Sequence, residues 1–417
     1  MPSIVAEAPV YGGLCLGRWK GKVVLLKGAL PGEVVVAAIT GERKGYCTAS
    51  VVEIIEPSPD RITPHCPLFE TCGGCHLQYT DHSRQITLKE AVLKDCLRRI
   101  AGLAPELSPA ILSPDAWHYR RRGQFKVSDG EVGFYREKSR DLVSVARCPL
   151  MINEINERVR MIGGELSQRL TPVSLHAVSE IQILHGDSAV AAVKTRRRGI
   201  DERFVKALWR VLSKCGFDGL AVVSDNAVVA RAGDEFTGLQ LGSLTYTVSP
   251  SSFIQSNWAV NEMLVAFVRN ALQPLTGKRV LDLFSGAGNF ALSLARDAEE
   301  VIAVEEDPVA ISDGRRNVQR NALGNCRFVR SSAEGLAVKD EIHVLVVDPP
   351  RPGLTSKTFE RILGLAPETI VYVSCNPSTL ARDLKNFAER YTLESVRMID
   401  FFPQTYHIES MAILRLR

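Results

Sequence analysis

Val280-Leu-Asp282-Leu-Phe284-Ser-Gly286-Ala-Gly288-Asn289-Phe-Ala291 joins an apolar strand to a glycine-rich turn and the start of a helix. The glycines let a ligand approach the backbone closely, and a helix N-terminus favours negative charge. From Thr276 onward, β-rich runs alternate with helical ones. Strands are expected at Arg279–Phe284, Glu300–Glu305, Cys326–Arg330, Val344–Asp348, Ile370–Ser374, Leu393–Asp400 and Met411–Leu416. Helices between the earlier strands make βαβ units with right-handed crossovers. The last strands lack long intervening helices, so an antiparallel final strand is expected. The pattern is a doubly wound α/β domain, a Rossmann-like mixed seven-stranded sheet, over residues 243–417.

In such a sheet ligands bind at the carboxyl ends of the strands. Val304-Glu305 ends the second strand in a carboxylate suited to ribose hydroxyls. As a bare Gly-x-Gly-x-x-Ala the turn also fits NAD, or plain structural tightness. Asp282 tilts the reading towards S-adenosylmethionine, because a carboxylate suits a cationic ligand and repels a pyrophosphate. Val347-Asp348-Pro349-Pro350-Arg351 then ends the fourth strand in a rigid loop whose carbonyls and carboxylate suit a flat base or a methyl donor. One strand further, Ile370-Val-Tyr-Val-Ser374-Cys375-Asn376-Pro377 stops a β-branched strand on a cysteine. The Asn-Pro turns the chain out of the sheet and leaves the sulfur presented rather than packed.

The chain has 417 residues, enough for two or three domains. Up to Pro57, short β-rich runs alternate with glycine turns, as in Gly32-Glu-Val-Val-Val-Ala-Ala-Ile, which suggests an OB-like barrel over residues 1–57. Pro57-Ser-Pro59 reads as a linker. Residues 61–242 read as a mixed α+β central domain, with a helix from about His82 to Ile100 and strand-like Gly123-Gln-Phe-Lys-Val and Gly130-Glu-Val-Gly-Phe-Tyr. No apolar stretch approaches the ~18 to 20 residues that span a bilayer. The N-terminus lacks the basic flank and apolar run of a signal peptide, so a cytoplasmic protein without a membrane partner is expected.

The net charge of +4 is modest, but basic residues cluster at Arg120-Arg121-Arg122, Lys194-Thr-Arg196-Arg197-Arg198 and Arg315-Arg316. Each run reads equally as a solvated face or as a contact for a polyanion. His118-Tyr119-Arg120 interleaves aromatic and basic side chains, either as a stacking platform for an unpaired base or as a plain turn.

Taken together, Asp282-Leu-Phe-Ser-Gly-Ala-Gly-Asn289-Phe, Asp348-Pro-Pro-Arg, Ser374-Cys375-Asn376-Pro377 and His407-Ile-Glu409 resemble the uracil-5 RNA methyltransferase family over nearly the whole chain. The N-terminal segment is similar to that family's TRAM domain, an RNA-binding module. The resemblance implies methyl transfer from S-adenosylmethionine to carbon 5 of a uridine. That carbon is a poor nucleophile until a thiolate adds at carbon 6, after which a base must remove the carbon-5 proton. By the resemblance Cys375 is the nucleophile and Glu409 the base, while Gln255, Phe284, Asn289, Glu305 and Asp348 contact the cofactor. Ser331-Ser332 departs from the Asp or Asn that many family members carry towards the adenine.

Ten cysteines in a chain without an export signal argue for metal or catalysis rather than disulfides. Cys66-Pro-Leu-Phe-Glu-Thr-Cys72-Gly-Gly-Cys75 packs three thiols into one loop, and Cys148 is a distant fourth. Four thiolates suit either zinc or an iron–sulfur cluster. The spacing resembles the [4Fe–4S] site of the ribosomal-RNA branch of the family, which favours the cluster over zinc. Cys15, Cys47, Cys96, Cys215 and Cys326 read as isolated thiols.

The expected protein is therefore a monomeric enzyme that flips a uridine out of folded RNA, 23S rRNA before tRNA. An adenine N6 methyltransferase is the enzymatic rival, because of the Asp-Pro-Pro. An RNA-binding or assembly protein with a structural cluster is the rival from another class.

Overall fold

Period-two burial builds the N-terminal domain. In the computed structural model, which describes residues 1–197, 199–338 and 340–417, β1 (Ser3–Val10), β2 (Leu14–Trp19), β3 (Lys22–Lys27), β4 (Val34–Arg43) and β5 (Tyr46–Glu56) close a barrel in the order β1-β2-β3-β5-β4. Ile4, Ala6, Cys15, Val24, Leu26, Val35 and Ala49 fill it from alternate positions. Arg61 of the following segment donates two hydrogen bonds to the fully buried Glu33, at 2.5 and 2.7 Å, which pins the exit from the barrel.

The helix expected from His82 is present as α1 (His82–Cys96), capped by Asp81 and continued by a π-helical turn, Leu97–Ala101, that ends at Gly102. The central sheet comprises β6 (Arg122–Ser128), β7 (Glu131–Tyr135), β8 (Leu142–Ser144), β9 (Val178–His185), β10 (Ala189–Thr195), β11 (Gly219–Ser224) and β12 (Ala227–Gly233), in the order β12-β11-β10-β9-β6-β7-β8. Helices α2 (Asn153–Arg169) and α4 (Glu202–Lys214) share a core with Phe125, Val127, Ile181 and Ile183 of this sheet. The short α3 (Pro172–Ala177) lies between α2 and β9. The basic run 194–198 joins β10 to α4, and Arg198 lies outside the described residues.

A hairpin, β13 (Thr237–Leu241) and β14 (Leu244–Val248), leads through α5 (Trp258–Ala271) into the C-terminal sheet. Its strands are β15 (Arg279–Leu283), β16 (Glu300–Glu305), β17 (Cys326–Arg330), β18 (Val344–Val347), β19 (Thr369–Ser374), β20 (Tyr391–Ile399) and β21 (Glu409–Leu416). Helices α6 (Ala291–Leu294), α7 (Pro308–Arg320), α8 (Ser356–Leu365) and α9 (Pro377–Phe387) separate the earlier ones. The order is β17-β16-β15-β18-β19-β21-β20, parallel except that β21 runs antiparallel to both neighbours. This is the expected mixed seven-stranded Rossmann-like domain beside a five-stranded barrel.

The sheet is covered on both faces. Val260, Leu264 and Val268 of α5 belong to the core on one side. On the other, Ile362 of α8 and Leu380 and Leu384 of α9 are joined by Val92, Leu93 and Leu97. Helix α1, which precedes the C-terminal sheet by the whole central sheet, thus joins the core of that sheet. Among the described residues no helix is long and apolar enough to cross a membrane.

Candidate active site

The turn after β15 has the conformation its glycines allow. Gly286 has φ +54 and Gly288 φ +99. A Cβ on Gly288 would stand 2.9 Å from Leu292 Cγ and 3.0 Å from Phe328 Cζ, whereas one on Gly286 would meet nothing within 4 Å. Glu305, at the end of β16, accepts from Gly286 N at 3.0 Å and from the Glu306 and Asp307 amides at 2.8 and 2.9 Å. Asn289 exchanges two amide hydrogen bonds with the buried Asn261 of α5, at 2.8 and 2.9 Å.

A cavity of about 940 Å³ opens over this turn, lined by Gln255, Phe284, Gly286, Asn289, Glu305 and Asp348 among others. Asp282 and Gly288 stand behind the turn instead. Asp282 is fully buried and accepts from Ala291 N at 2.9 Å, and burial pushes its pKa well up. It therefore braces the turn against the helix start. Ser331 and Ser332 line the cavity, and the Ser332 hydroxyl accepts from Gly335 N at 3.1 Å.

Cys375 and Glu409 meet at the far wall. Ser374 of β19 pairs with Ser410 of β21, so the next residue of one strand and the preceding residue of the other reach the same edge. Glu409 is the first residue of β21 and pairs with Ile399. The strand starts earlier than the expected Met411 because Met398 and Ile399 extend the ladder. Burial, then the Glu409 and Asp348 carboxylates, push the half-buried Cys375 thiol up to about 12, and Arg351 opposes them. Burial, reinforced by Asp348 and opposed by Arg351, raises the Glu409 pKa well above the carboxylate range. Burial alone lifts Asp348 to about 7. A thiol and two carboxyls with displaced proton affinities on one wall are the makings of nucleophilic and acid–base chemistry.

A second cavity, of about 540 Å³, lies on the other side of the same wall. Arg122, Phe253, Gln255, Arg351, Cys375 and Glu409 line both. Cys66, Cys72, Cys75 and Cys148 line the second one. Burial pushes the thiol of Cys75 up to about 12, with the other three cysteines adding to the rise. The four cysteines share this cavity, but among the described residues no three His, Cys, Asp or Glu side chains stand together as a group that could hold a metal ion. The five remaining cysteines, Cys15, Cys47, Cys96, Cys215 and Cys326, are all buried.

Tyr119 does not offer the stacking platform that its sequence context allowed. Its ring is 7% exposed and its hydroxyl donates to Pro403 O at 3.0 Å, because β6 is approached through the interior. Arg122 is likewise drawn in, donating to Gln182 at 3.2 Å. Sequence reasoning quoted Arg351 only as part of a motif. Its Nη2 donates to His407 Nδ1 at 3.2 Å, and burial, then Arg351, lower the His407 pKa to about 3, so the imidazole is neutral. Phe253, 65% exposed, lines both cavities and was not singled out. Phe402 was not singled out at all, because only folding brings it to the wall.

A Rossmann-like sheet, a glycine-turn cavity and a strand-end cysteine together define a methyltransferase-type site. Residues 81–341 and 338–417 match the family model described as tRNA (Uracil-5-)-methyltransferase. The chain is 33% identical over 419 residues to the 23S rRNA (uracil(1939)-C(5))-methyltransferase RlmD of Shewanella amazonensis, covering 97% of this chain and 93% of that one. It is 34% identical over 421 residues to RlmD of Alkalilimnicola ehrlichii, covering 94% and 92%. Among solved structures, the Pyrococcus abyssi tRNA (uracil-54, C5)-methyltransferase in complex with S-adenosyl-L-homocysteine shares the fold, with a TM-score of 0.77 at 24% identity over 99% of this chain and 100% of that one. The chain belongs to the uracil-5 RNA methyltransferase family.

Proposed function

We propose that this S-adenosylmethionine-dependent RNA methyltransferase modifies carbon 5 of one uridine in 23S rRNA, at the position its curated relatives name, through a covalent adduct with Cys375. The observation that supports the adduct is the common lip occupied by Cys375 and Glu409, which faces both cavities. The division into a TRAM-like RNA-binding barrel (1–57), a central domain (61–242) and a catalytic domain (243–417) belongs to this reading, as do a monomeric state and action in the cytoplasm.

In this mechanism the Cys375 sulfur bonds to carbon 6 of the flipped uracil, and the electron pair of the 5,6 double bond moves towards the O4 carbonyl as an enolate. Carbon 5 then takes the methyl group, which S-adenosylmethionine supplies with S-adenosylhomocysteine as the leaving group. Glu409 removes the carbon-5 proton, the double bond re-forms and the sulfur–carbon bond breaks, returning the cysteine. Asp348, with a pKa near neutrality, can donate to a carbonyl or accept from an N–H of the base. Gln255, Phe284, Gly286, Asn289 and Glu305 hold the cofactor, and Asp282 and Gly288 shape the turn that receives it.

Cys66, Cys72, Cys75 and Cys148 would hold a [4Fe–4S] cluster in preference to zinc. Their common cavity supports this, and the cluster's part is to fix the wall that faces the RNA. Anaerobically purified protein should contain about four irons with matching sulfide, whereas stoichiometric zinc would decide for the alternative.

The experiment for the main reading uses a 23S rRNA fragment carrying 5-fluorouridine, which has no removable proton at carbon 5. With cofactor present it should trap the protein as an irreversible adduct, and Cys375→Ala should abolish the trapping. Full methylation by Cys375→Ala would instead point to chemistry at an adenine amine. Trapping on tRNA but not rRNA would move the substrate.

A further inference from the structure

We propose that the β1–β2 turn of the barrel is a positioning element of the catalytic site: through Tyr11 and Gly13 it holds the loop that delivers Glu409. The inference rests on the reading of Glu409 as the base. The loop in question runs from Asp400 to Ile408, between β20 and β21.

The barrel reaches this loop at its β1–β2 turn. The Tyr11 ring meets the Tyr406 ring edge-on, with centroids 5.7 Å apart and planes at 88°. Tyr406 in turn packs on His407 at 4.4 Å and on His76 at 4.5 Å. Gly13 lies so close that an added Cβ would be 3.2 Å from both Tyr406 Cβ and His76 Cβ, and its φ of +72 is one that side chains rarely adopt. Tyr11 also packs against the core of the catalytic sheet. Burial raises its hydroxyl to about 12, and its surroundings include Arg351, Tyr406, Cys375 and Glu409. A residue of the N-terminal barrel therefore stands within the electrostatic field of the reacting groups, two residues from a glycine that the approach requires.

The other flank of the loop is held differently. His76 and Leu77 amides donate to Gln404 O at 2.8 and 3.1 Å, and Gln85 exchanges hydrogen bonds with Gln404 at 2.8 and 2.9 Å. Lys89 donates to Asp400 and to Phe402 O, both at 2.9 Å. These bonds fix the backbone up to residue 404. Beyond it, His407 is held by its amide donating to Thr405 Oγ1 and by Arg351 Nη2, both at 3.2 Å, while Tyr406 is held by ring contacts with His76, His407 and Tyr11, and Tyr11 is the barrel's part of that packing. Loss of the ring would leave Tyr406 free to settle by a fraction of an ångström and take the adjoining backbone of the loop with it, and such misplacement of a catalytic group is costly.

The test compares Tyr11→Ala, Tyr11→Leu and Tyr11→Phe in the full-length enzyme on a 23S rRNA fragment. Tyr11→Ala should lower kcat on the order of tenfold to a hundredfold and leave KM and RNA affinity within about threefold. Because proton abstraction is the affected step, the fraction of enzyme held as adduct on ordinary RNA should rise. Tyr11→Phe, which keeps the ring, should restore kcat. Should Tyr11→Ala fail to fold, Tyr11→Leu is read in the same way. Weakened RNA affinity with unchanged kcat would overturn the proposal, making the turn an RNA contact alone. So would equal loss in Tyr11→Phe. The two readings fail separately: if Glu409→Gln does not accumulate adduct, the base assignment falls; if it does and Tyr11→Ala and Tyr11→Leu do not, only the positioning role falls.

Discussion

Ser374 pairs with Ser410 across the antiparallel β19–β21 ladder, and that register brings Cys375 and Glu409 to one edge of the sheet. The two groups should therefore fail at different points of one reaction. Cys375→Ala should form no adduct and no product while binding S-adenosylmethionine as before. Glu409→Gln should form the adduct, complete methyl transfer and then stall, with turnover reduced by about 10² to 10⁴. Denaturing gel analysis with labelled cofactor distinguishes them, since only the second variant should carry label on a protein–RNA band.

The proton affinities on this wall set a direction with pH. The Cys375 thiol is pushed up to about 12 and Glu409 well above its usual range, so each holds its proton more tightly than it would in water. Both must lose a proton to act. The single-turnover rate should therefore climb steadily from pH 6 to 9. Arg351 favours the charged form of each. Arg351→Met should slow adduct formation about tenfold, and by a similar factor at pH 7.5 and pH 9, because both lie well below the thiol's pKa. A flat profile would contradict this picture.

Asp348 should trade stability for function. Its pKa rises from 3.8 to about 7 on burial, so the folded state holds the proton more tightly than the unfolded one. Its stabilising effect is complete below about pH 4 and lost as pH rises towards 7. In the absence of cofactor, Asp348→Asn should match the parent protein near pH 4 and exceed it at pH 8, by an amount on the order of 4 kcal/mol. Thermal melts at the two pH values read the difference, and methylation should be lost.

Gly288→Ala places a Cβ against Leu292 and Phe328 at a φ of +99. A loss of about 1–3 kcal/mol is expected, with cofactor binding weakened because the turn must shift. Gly286→Ala faces open space on the cavity side and has a φ of +54, so it should fold more nearly normally and weaken cofactor binding by occupancy.

Legibility followed the range of the interactions. The barrel was readable because burial alternates along its strands, the parallel strands because most are short continuous apolar runs, and Glu305, Asp348 and Cys375 stood out because each stands at the end of a strand. Ser374–Cys375 and Glu409 could be quoted as motifs, yet their adjacency depends on β21 running backwards, which local pattern only suggested. Asp282 read as a cofactor contact, but the burial that turns it into a brace comes from the packed helix start. Tyr119 could be read as a stacking platform or as part of a turn because its neighbours are basic, whereas its partner is the carbonyl of Pro403, far along the chain. Tyr11, Phe402 and the His407–Arg351 bond carry no local signature, since each depends on contacts between distant segments.

The docking of α1 on the C-terminal sheet has a consequence for how the enzyme is made. Val92, Leu93 and Leu97 leave the ribosome long before the strands they will cover. The barrel can close as soon as it is synthesised, but this helix must wait, apolar face uncovered, until the last hairpin is complete. A fragment beginning at residue 243 would meet the opposite problem, a finished sheet whose α8–α9 face lacks the cover of Val92, Leu93 and Leu97. Premature termination near β20 would leave both partners of this core exposed.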